Sequence, residues 1–403
     1  MNSDSDSHET TGPGTSRAFE SAPLGPLTLR NRFIKAATFE GLAMENLVND
    51  ELIQFHRRIA EGGIGMTTLA YCAVAEGGQG APREIVLNER AMPGLSRFSE
   101  AIHAEGAAAS IQLGHAGPVG AGAGQKGLSP SRVFSPQALR FTRAADEVDL
   151  GRVIEDFARA GRMAVDTGFD AVELHFGHGY LPSSFLSPRL NRRHDRWGGS
   201  LEGRARLMRE IATAVRKAVD DRVAVIAKFN MADGVAGGLW LDESIEVARW
   251  LEADGALDAL ELTGGSSFQN PMYLFRGEAP IHEMANAFPQ PLRLGFKLGA
   301  SRFLREYPFE EGYFLPYARQ FRAALDMNLI LLGGIDRLEL AEKAIAEGFD
   351  FVALGRSLLR EPELLRSWQK GERAEALCVY CNKCMPTIYE GGTHCVLAPQ
   401  ALR

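Results

Sequence analysis

The chain has 403 residues, of which 45% are hydrophobic and 24% are charged, and its formal net charge is −7. This composition is typical of a soluble globular protein with a large core, and a net negative charge without a basic cluster argues against nucleic acid or an anionic membrane as a partner. No apolar run approaches the roughly 20 residues of a membrane span. The polar opening, residues 1–20, lacks the apolar core of a signal peptide and predicts a disordered tail on a cytoplasmic protein.

Eight short apolar runs rich in Val, Ile and Leu follow one another through residues 21–370. None alternates cleanly with polar residues, which is the pattern of parallel strands buried on both faces. Segments with helical spacing of apolar residues, such as 201–219 and 241–255, lie between most of them. A strand–helix unit repeated eight times predicts a closed (β/α)8 TIM barrel, for which ~250 residues is typical. The runs cover residues 32–37, 65–71, 108–113, 170–175, 223–229, 257–263, 328–334 and 350–355.

Insertions explain the surplus length, and the longest lies between the sixth and seventh predicted strands, at about residues 265–311. A loop of that length in a compact domain is more often a lid or a binding element than a spacer. The alternative fold is an open doubly wound sheet. It is disfavoured because no strand is followed by GxGxxG, and the glycine-rich stretch 117–127 lacks that spacing.

Residues at the carboxyl ends of the predicted strands are the candidate site, because TIM-barrel enzymes place their chemistry there. After the fourth strand, His175, His178 and Tyr180 stand within six residues, a density that neither a buried strand nor a surface loop needs. After the seventh and eighth strands, glycines with accessible N–H groups, the start of a helix and an arginine suit a phosphate group. The other strand-end candidates are Ala36, Ala37, Thr38, Tyr71, Gln112, His115, Lys228, Thr263, Gly333, Gly334, Gly355 and Arg356.

Five motifs stand at or near the strand ends: QLGHAG (112–117), ELHFGHGYL (173–181), FLSPRLNRRHDRWGGSLEGRAR (185–206), LGGI (332–335) and LGRSLLREPEL (354–364). Together they resemble the old yellow enzyme family of FMN-dependent ene-reductases. The likeness is greatest to the branch with two histidines, which includes the N-terminal domains of bacterial 2,4-dienoyl-CoA reductase and trimethylamine dehydrogenase. It runs from about Leu24 to the C-terminus.

The resemblance implies bound FMN, NADH or NADPH as the reductant, and a small enone, enal or enoyl compound whose activated C=C bond is reduced. It places Gln112 at the flavin pyrimidine edge and Lys228 near N1 and the C2 carbonyl, where a cation favours the reduced state. His175 and His178 would donate hydrogen bonds to the substrate carbonyl oxygen. Tyr180 would supply a proton to the α carbon, because a phenol with an ordinary pKa of about 10 stays protonated at pH 7. The remaining implied cofactor contacts are Ala36, Ala37, Thr38, Tyr71 and Gly333, with Gly334, Gly355 and Arg356 at the phosphate.

Four positions depart from the family pattern. Lys228 replaces the usual arginine, which keeps the charge but loses the planar guanidinium fork. The pair Ala37-Thr38 stands where Pro-Met or a similar pair is usual, and Trp197 replaces a tyrosine. Pro118 replaces the arginine that often follows HAG, a difference that bears on substrate preference more than on flavin binding.

Four of the five cysteines fall within residues 371–403, with the spacing C-x2-C-x2-C-x10-C. The close triple resembles iron–sulfur runs more than paired zinc knuckles, and related multidomain enzymes carry a [4Fe-4S] cluster just after this barrel. We expect such a cluster here, with zinc or metal-free cysteines as the alternatives. It would pass electrons to a partner protein or only fasten the tail. The predicted ligands are Cys378, Cys381, Cys384 and Cys395.

Two other functions stay open at this point. A metal-dependent hydrolase would use HFGH as a pair of ligands, but it needs further histidines or carboxylates where Gln112, Lys228 and Thr263 stand. A flavin or metal-cluster binding module without turnover would leave the histidines structural. A homo-oligomer is compatible with the sequence, and no motif distinguishes NADH from NADPH.

Overall fold

Eight parallel strands form a closed barrel at the centre of the computed structural model, which describes residues 16–120, 126–135, 140–286, 289–290, 292–389 and 391–400. Each strand pairs with its neighbour in the chain, and the eighth pairs with the first. The predicted TIM barrel is confirmed, and each strand overlaps the apolar run that predicted it. The strands are β1 (Phe33–Lys35), β2 (Met66–Ala73), β3 (Ala108–Gly114), β4 (Ala171–Phe176), β5 (Ala224–Asn230), β6 (Ala259–Thr263), β7 (Asn328–Leu332) and β8 (Phe351–Leu354).

A helix follows each barrel strand and covers the outside of the barrel. Local capping fixes several starts: the Asn49 side chain accepts a hydrogen bond from the Leu52 N–H, and Asp146 and Asp149 form a capping box. No helix among the described residues is long and apolar enough to cross a membrane. The helices are α1 (Asp50–Glu61), α2 (Met92–Ala104), α3 (Glu147–Asp166), α4 (Leu201–Val219), α5 (Leu241–Ala253), α6 (Leu315–Arg322), α7 (Leu338–Ala346) and α8 (Leu364–Gln369).

Two apolar clusters hold this arrangement together. The larger fills the space between strands and helices, where Phe229 of β5 is fully buried and its ring centroid lies 6.3 Å from that of Phe321 in α6. The smaller contains residues that begin the barrel strands and the hairpin formed by Ala22–Leu24 and Leu27–Leu29. Because the hairpin closes the N-terminal end of the barrel, the open end is the C-terminal one.

Residues 16–20, which the sequence assigned to a disordered tail, are ordered. Ala18 is fully buried. Its N–H donates to the Glu342 carboxylate at 2.9 Å, and its carbonyl accepts from the Arg32 N–H at 2.9 Å. The prediction was wrong for these five residues because two adjacent apolar residues, Ala18 and Phe19, leave no periodic signal. The rest of the predicted tail, residues 1–15, lies outside the described residues.

The predicted insertion and the cysteine-rich segment pack together over the C-terminal end of the barrel. The insertion forms the helices Met272–Phe275, Ile281–Asn286 and Leu292–Phe303, with residues 287, 288 and 291 outside the described part. The side chain of Asn382 donates to the Phe275 and Glu278 carbonyls at 3.2 and 3.0 Å. The described residues of the 371–403 segment are therefore part of the barrel mouth.

We predict that Phe229→Ala lowers the free energy of unfolding by about 3–5 kcal/mol, because it leaves a cavity in the core between β5 and α6. Chemical denaturation followed by circular dichroism measures this. Val148→Ala, at a position that is 61% exposed, is the control and should change stability by less than about 0.5 kcal/mol. Equal stability of the two variants would contradict the described core.

Candidate active site

A cavity of about 350 Å³ opens at the C-terminal end of the barrel. All three predicted catalytic residues and all ten predicted cofactor-binding residues line it, because parallel strands bring their carboxyl ends to the same rim. The structure thus brings together thirteen residues that span over 300 positions of sequence. They are Ala36, Ala37, Thr38, Tyr71, Gln112, His175, His178, Tyr180, Lys228, Gly333, Gly334, Gly355 and Arg356.

The two histidines and Tyr180 form one packed group at the end of β4. The ring centroid of His175 lies 5.0 Å from that of His178 and 4.4 Å from that of Tyr180. His178 has a φ of 61°, in the left-handed region, and its ring Nε2 lies 2.9 Å from the Thr263 hydroxyl. Its N–H donates to the Asn230 side chain at 3.1 Å. Residues from β5 and β6 therefore hold His178 in a conformation that a non-glycine residue rarely adopts.

Burial sets the charge state of this group. Burial, and then the positive charge of Lys228, lower the pKa of His178 to about 3. Burial, followed by His178 and Lys228, lowers the pKa of His175 well below its ordinary value. Burial, and then Glu84, raise the pKa of Tyr180. At neutral pH both imidazoles are uncharged and the phenol keeps its proton, so all three side chains are able to donate a hydrogen bond.

A polar layer inside the barrel supports the cavity floor. The Gln112 amide donates to the Glu173 carboxylate at 2.5 Å, and the Lys228 ammonium lies 3.3 Å from Glu173 and also donates to Glu261. Burial lowers the pKa of Lys228, but Glu173 and Glu261 outweigh it, so the pKa is raised and the lysine is charged. The sequence analysis missed both glutamates. The available signal was a charged residue inside each of the apolar runs of β4 and β6.

At the other end of the cavity, the loops after β7 and β8 offer backbone groups. Gly334 has a φ of 72°, and a Cβ there would approach the Glu310 carbonyl oxygen and the Gly312 nitrogen to 2.9 Å. Arg356 faces the cavity, but its Nη1 also donates to the Phe275 carbonyl at 2.5 Å. The arginine therefore joins the predicted phosphate end to the insertion.

The sequence analysis also missed part of the cavity wall. Aromatic, apolar and polar side chains from the insertion and from the cysteine-rich segment line it, including Phe275, Tyr380, Ile388 and Tyr389. No spacing rule connects these segments to the barrel, because their contacts depend on how long loops fold back. The prediction that the insertion is a lid or binding element agrees with its place on the wall.

Two polar residues after β3 and β4 have structural contacts outside the cavity. His115 does not line the cavity; its Nδ1 accepts from the Gly117 N–H at 3.1 Å. Asn191 donates to the Phe185 and Trp197 carbonyls at 2.7 and 2.8 Å, which ties down the loop after β4.

The four cysteines of the terminal segment are neighbours. Burial, opposed by the positive charge of Arg356 and assisted by the thiols of Cys378, Cys395 and Cys381, raises the pKa of the Cys384 thiol to about 12. In the arrangement of the described residues, no group of three or more His, Cys, Asp or Glu side chains could hold a metal ion. The cysteines as placed do not fit a cluster, and the [4Fe-4S] cluster stays a prediction.

The chain matches the NADH:flavin oxidoreductase / NADH oxidase family over residues 18–260. It belongs to this family. It is 54% identical over 390 residues to the 4,4'-dithiodibutanoate disulfide reductase of Rhodococcus erythropolis, covering 96% of each chain. It is 30% identical over 373 residues to an NADPH dehydrogenase of Listeria innocua, covering 90% of this chain and 97% of that protein. The enzyme is therefore an NAD(P)H-dependent oxidoreductase, and the metal-dependent hydrolase is left without support.

Solved structures show the same fold. The 2-naphthoyl-CoA reductase matches with a TM-score of 0.82 at 25% identity, over 96% of this chain and 57% of that one. Morphinone reductase in complex with tetrahydroNAD matches with a TM-score of 0.68 at 22% identity, over 90% of this chain and 93% of that one. The chain thus spans just over half of the first of these proteins and nearly all of the second.

FMN is the cofactor of this family, and the cavity fits it. A Cβ added at Gly355 would meet only Thr38, at 3.7 Å, so the backbone there is open to a ligand. Two buried polar atoms of cavity residues, Thr38 Oγ1 and His175 Nδ1, lack a hydrogen-bond partner among the described residues. Such atoms in a native protein are normally satisfied by a bound group.

We predict that Gly334→Ala weakens FMN binding at least tenfold. A residue with a Cβ is strained by about 1–3 kcal/mol in this conformation and would have to push the 310–312 backbone away. Titration of the flavin-free protein with FMN, followed by flavin fluorescence, measures this. Circular dichroism serves as the control for folding, and unchanged affinity would place the phosphate elsewhere.

The metal prediction has its own test. Iron and acid-labile sulfide are assayed after anaerobic purification, together with zinc. Near four irons and four sulfides per chain, lost in a Cys381→Ser variant, are the expected result for a [4Fe-4S] cluster. Zinc alone or no metal would contradict the prediction, and the flavin site would be unaffected.

Proposed function

We propose that this enzyme reduces the activated C=C bond of an α,β-unsaturated carbonyl compound, with NADH or NADPH as the reductant. The observation that carries the proposal is the packed group of His175, His178 and Tyr180 on the wall of the flavin cavity. Two uncharged imidazoles beside a protonated phenol are the groups that such a reduction needs. Since NAD(P)H is an intracellular reductant, a cytoplasmic location is part of the proposal.

Each side chain has a defined task. FMN, when bound, supplies hydride transfer from the reductant to the second substrate. His175 and His178 hydrogen-bond the carbonyl oxygen, which draws electrons from the conjugated double bond as negative charge develops there. Tyr180 supplies the proton to the α carbon. Thr263 and Asn230 hold His178 in place, so that little reorganisation is needed when the substrate arrives.

Lys228 and Gln112 act on the flavin side of the cavity. The ammonium of Lys228 stabilises negative charge that the flavin gains on reduction, and its two carboxylate neighbours keep it protonated. Gln112 is oriented by its hydrogen bond to Glu173. The same pair of residues thus binds the cofactor and favours its reduced state.

Disulfide reduction is the second candidate. It is favoured by the 54% identity to a protein named 4,4'-dithiodibutanoate disulfide reductase. A hydride equivalent would break the S–S bond, giving one thiol and one thiolate, and Tyr180 would protonate the thiolate. This reaction uses the proton donor but needs no hydrogen bond from the histidines to a carbonyl oxygen.

One anaerobic experiment separates the candidates. The purified protein is reduced with one equivalent of NADH or NADPH and then mixed with 2-cyclohexen-1-one or with 4,4'-dithiodibutanoate. Return of the oxidised flavin spectrum with the enone, together with cyclohexanone, supports the main proposal. Return only with the disulfide, together with two thiols, favours the second candidate. No return with either compound would be the result for a binding module without turnover.

We predict that His175→Ala or His178→Ala slows enone reduction by about 10²–10³-fold, which corresponds to about 2.7–4 kcal/mol for a lost donor to a charge-accepting oxygen. FMN should stay bound in both variants. Tyr180→Phe should slow the same step and leave the dissociation constant of the enone nearly unchanged. Rapid-mixing measurements of flavin reoxidation at several enone concentrations separate rate from affinity, and parental rates in all three variants would rule out this site.

We also predict that the rate of reoxidation by the enone changes little between pH 5 and pH 7. An ordinary histidine with a pKa of about 6.5 would gain a proton across this range. Because burial lowers the pKa of His178 to about 3 and that of His175 well below 6.5, both remain uncharged throughout. A change in the reoxidation rate centred near pH 6.5 that is absent from His178→Ala would show that the histidine titrates, and would contradict the buried, neutral histidines.

A further inference from the structure

Three ionisable side chains are in contact inside the barrel, directly behind the cavity. Glu173 of β4 and Glu261 of β6 are fully buried, and Lys228 of β5 lies between them with 1% of its surface exposed. The strand register explains the arrangement, since Lys228 is paired with Glu261 across β5 and β6. Two carboxylates therefore share one ammonium group.

The charge of this group is unbalanced. One ammonium compensates one carboxylate, and an uncompensated buried charge costs several kcal/mol. Glu261 Oε2 has no hydrogen-bond partner among the described residues, and Glu173 Oε1 lies 3.3 Å from the same ammonium that donates to Glu261. Burial, opposed by Lys228 and increased by Glu261, raises the pKa of Glu173 to about 8. Below that pH the carboxylate pair holds one proton, and above it the pair carries two negative charges.

The other charged groups facing the pair do not remove the imbalance. Lys35 of β1 is paired with Glu40 at 2.5 Å, so these two charges cancel. His56, 3.3 Å from Glu40, is uncharged near neutral pH because burial lowers its pKa to about 4. His175, which lies beside Lys228 in the strand register, is uncharged as well. The net charge of the barrel interior is therefore set by the pair.

We propose that Glu173 and Glu261, when both are ionised, form a buried proton-accepting site that takes up one proton when the flavin beside Lys228 is reduced. The pair reaches the cavity through two side chains that line it: Gln112 donates to Glu173, and Lys228 donates to Glu261. The inference rests on the proposed placement of the flavin next to Gln112 and Lys228. It does not depend on which second substrate the enzyme uses.

The balance of electrons and protons is complete. NAD(P)H delivers a hydride, which brings two electrons and one proton to the flavin and leaves NAD(P)⁺. The flavin would gain one negative charge. The ammonium of Lys228 would then have to compensate this charge as well as the carboxylates. The pair then binds one additional proton from solvent and releases it when the second substrate accepts the hydride. Glu173 and Glu261 are thus positioning residues that also control charge.

The test counts protons taken up during anaerobic reduction with one equivalent of NADH, in weakly buffered solution with a pH indicator. At pH 6 the pair is already protonated in the oxidised enzyme, and at pH 9 it is not. At pH 9 we expect the parent enzyme to take up close to one proton per flavin more than Glu173→Gln or Glu261→Gln takes up. Equal uptake in the parent and in both variants at pH 9 would overturn the proposal.

Glu84 provides the matched control. It is also buried, and burial raises its pKa to about 8, but it lies outside the strands and accepts its hydrogen bond from the Gly80 N–H at 2.6 Å. Glu84→Gln should take up the additional proton as the parent enzyme does. If this uptake is lost in Glu84→Gln alone, it belongs to Glu84 and the proposal is overturned.

A second measurement uses the oxidised protein without any reductant. Infrared difference spectra between pH 6 and pH 9 should show two carboxylic acid C=O bands that disappear at pH 9, one from the Glu173–Glu261 pair and one from Glu84. The first band should be missing from Glu173→Gln and retained in Glu84→Gln, which should lose only the second band. Two bands that persist in Glu173→Gln and in Glu261→Gln would contradict the shared proton, even if neither variant binds flavin.

Discussion

The site depends on the ion pairs that the ammonium of Lys228 forms with Glu173 and Glu261. The ammonium lies where a closed parallel barrel brings three neighbouring strands together, and the two carboxylates keep it charged in spite of full burial. Burial is the main cause of the lowered pKa of both histidines on the adjacent strand end, and the charge of Lys228 lowers it further. One buried cation thus links cofactor binding, the neutral state of the histidines and the proton affinity of the carboxylates.

The cysteine-rich segment and the insertion add a wall to the open end of the barrel. Arg356 connects them, because its guanidinium contacts the insertion backbone and lies 5.0 Å from the Tyr380 ring centroid. Tyr380 in turn stacks on Phe309, with the ring centroids 3.4 Å apart. Two segments that are distant in sequence therefore form part of one cavity wall.

The fold and the rim of the site follow from local patterns in the sequence. Continuous apolar runs predict buried parallel strands, and closure of the barrel then brings Gln112, His175 and Lys228 to the same end without further information. The roles expected for them came from the resemblance to the old yellow enzyme family. The buried carboxylates were missed because a glutamate inside an apolar strand carries no sign of its partner until the strand register is known.

The C-terminal wall could not be predicted for a different reason. Its contacts, such as that of Asn382 with the Phe275 carbonyl, join segments more than 100 residues apart through loop conformation alone. Ala18 shows the same limit at the other terminus, since its burial depends on a partner, Glu342, far along the chain. Patterns of period two or 3.6 report on strands and helices, and irregular segments have neither.

The most direct test of the account is a crystal structure of the enzyme with its flavin and a bound enone. The account predicts the pyrimidine edge of the flavin against Gln112 and Lys228, the phosphate at Gly334 and Gly355, and the enone oxygen within about 3 Å of ring nitrogens of both His175 and His178. A flavin bound elsewhere, or an enone oxygen held by neither histidine, would contradict it.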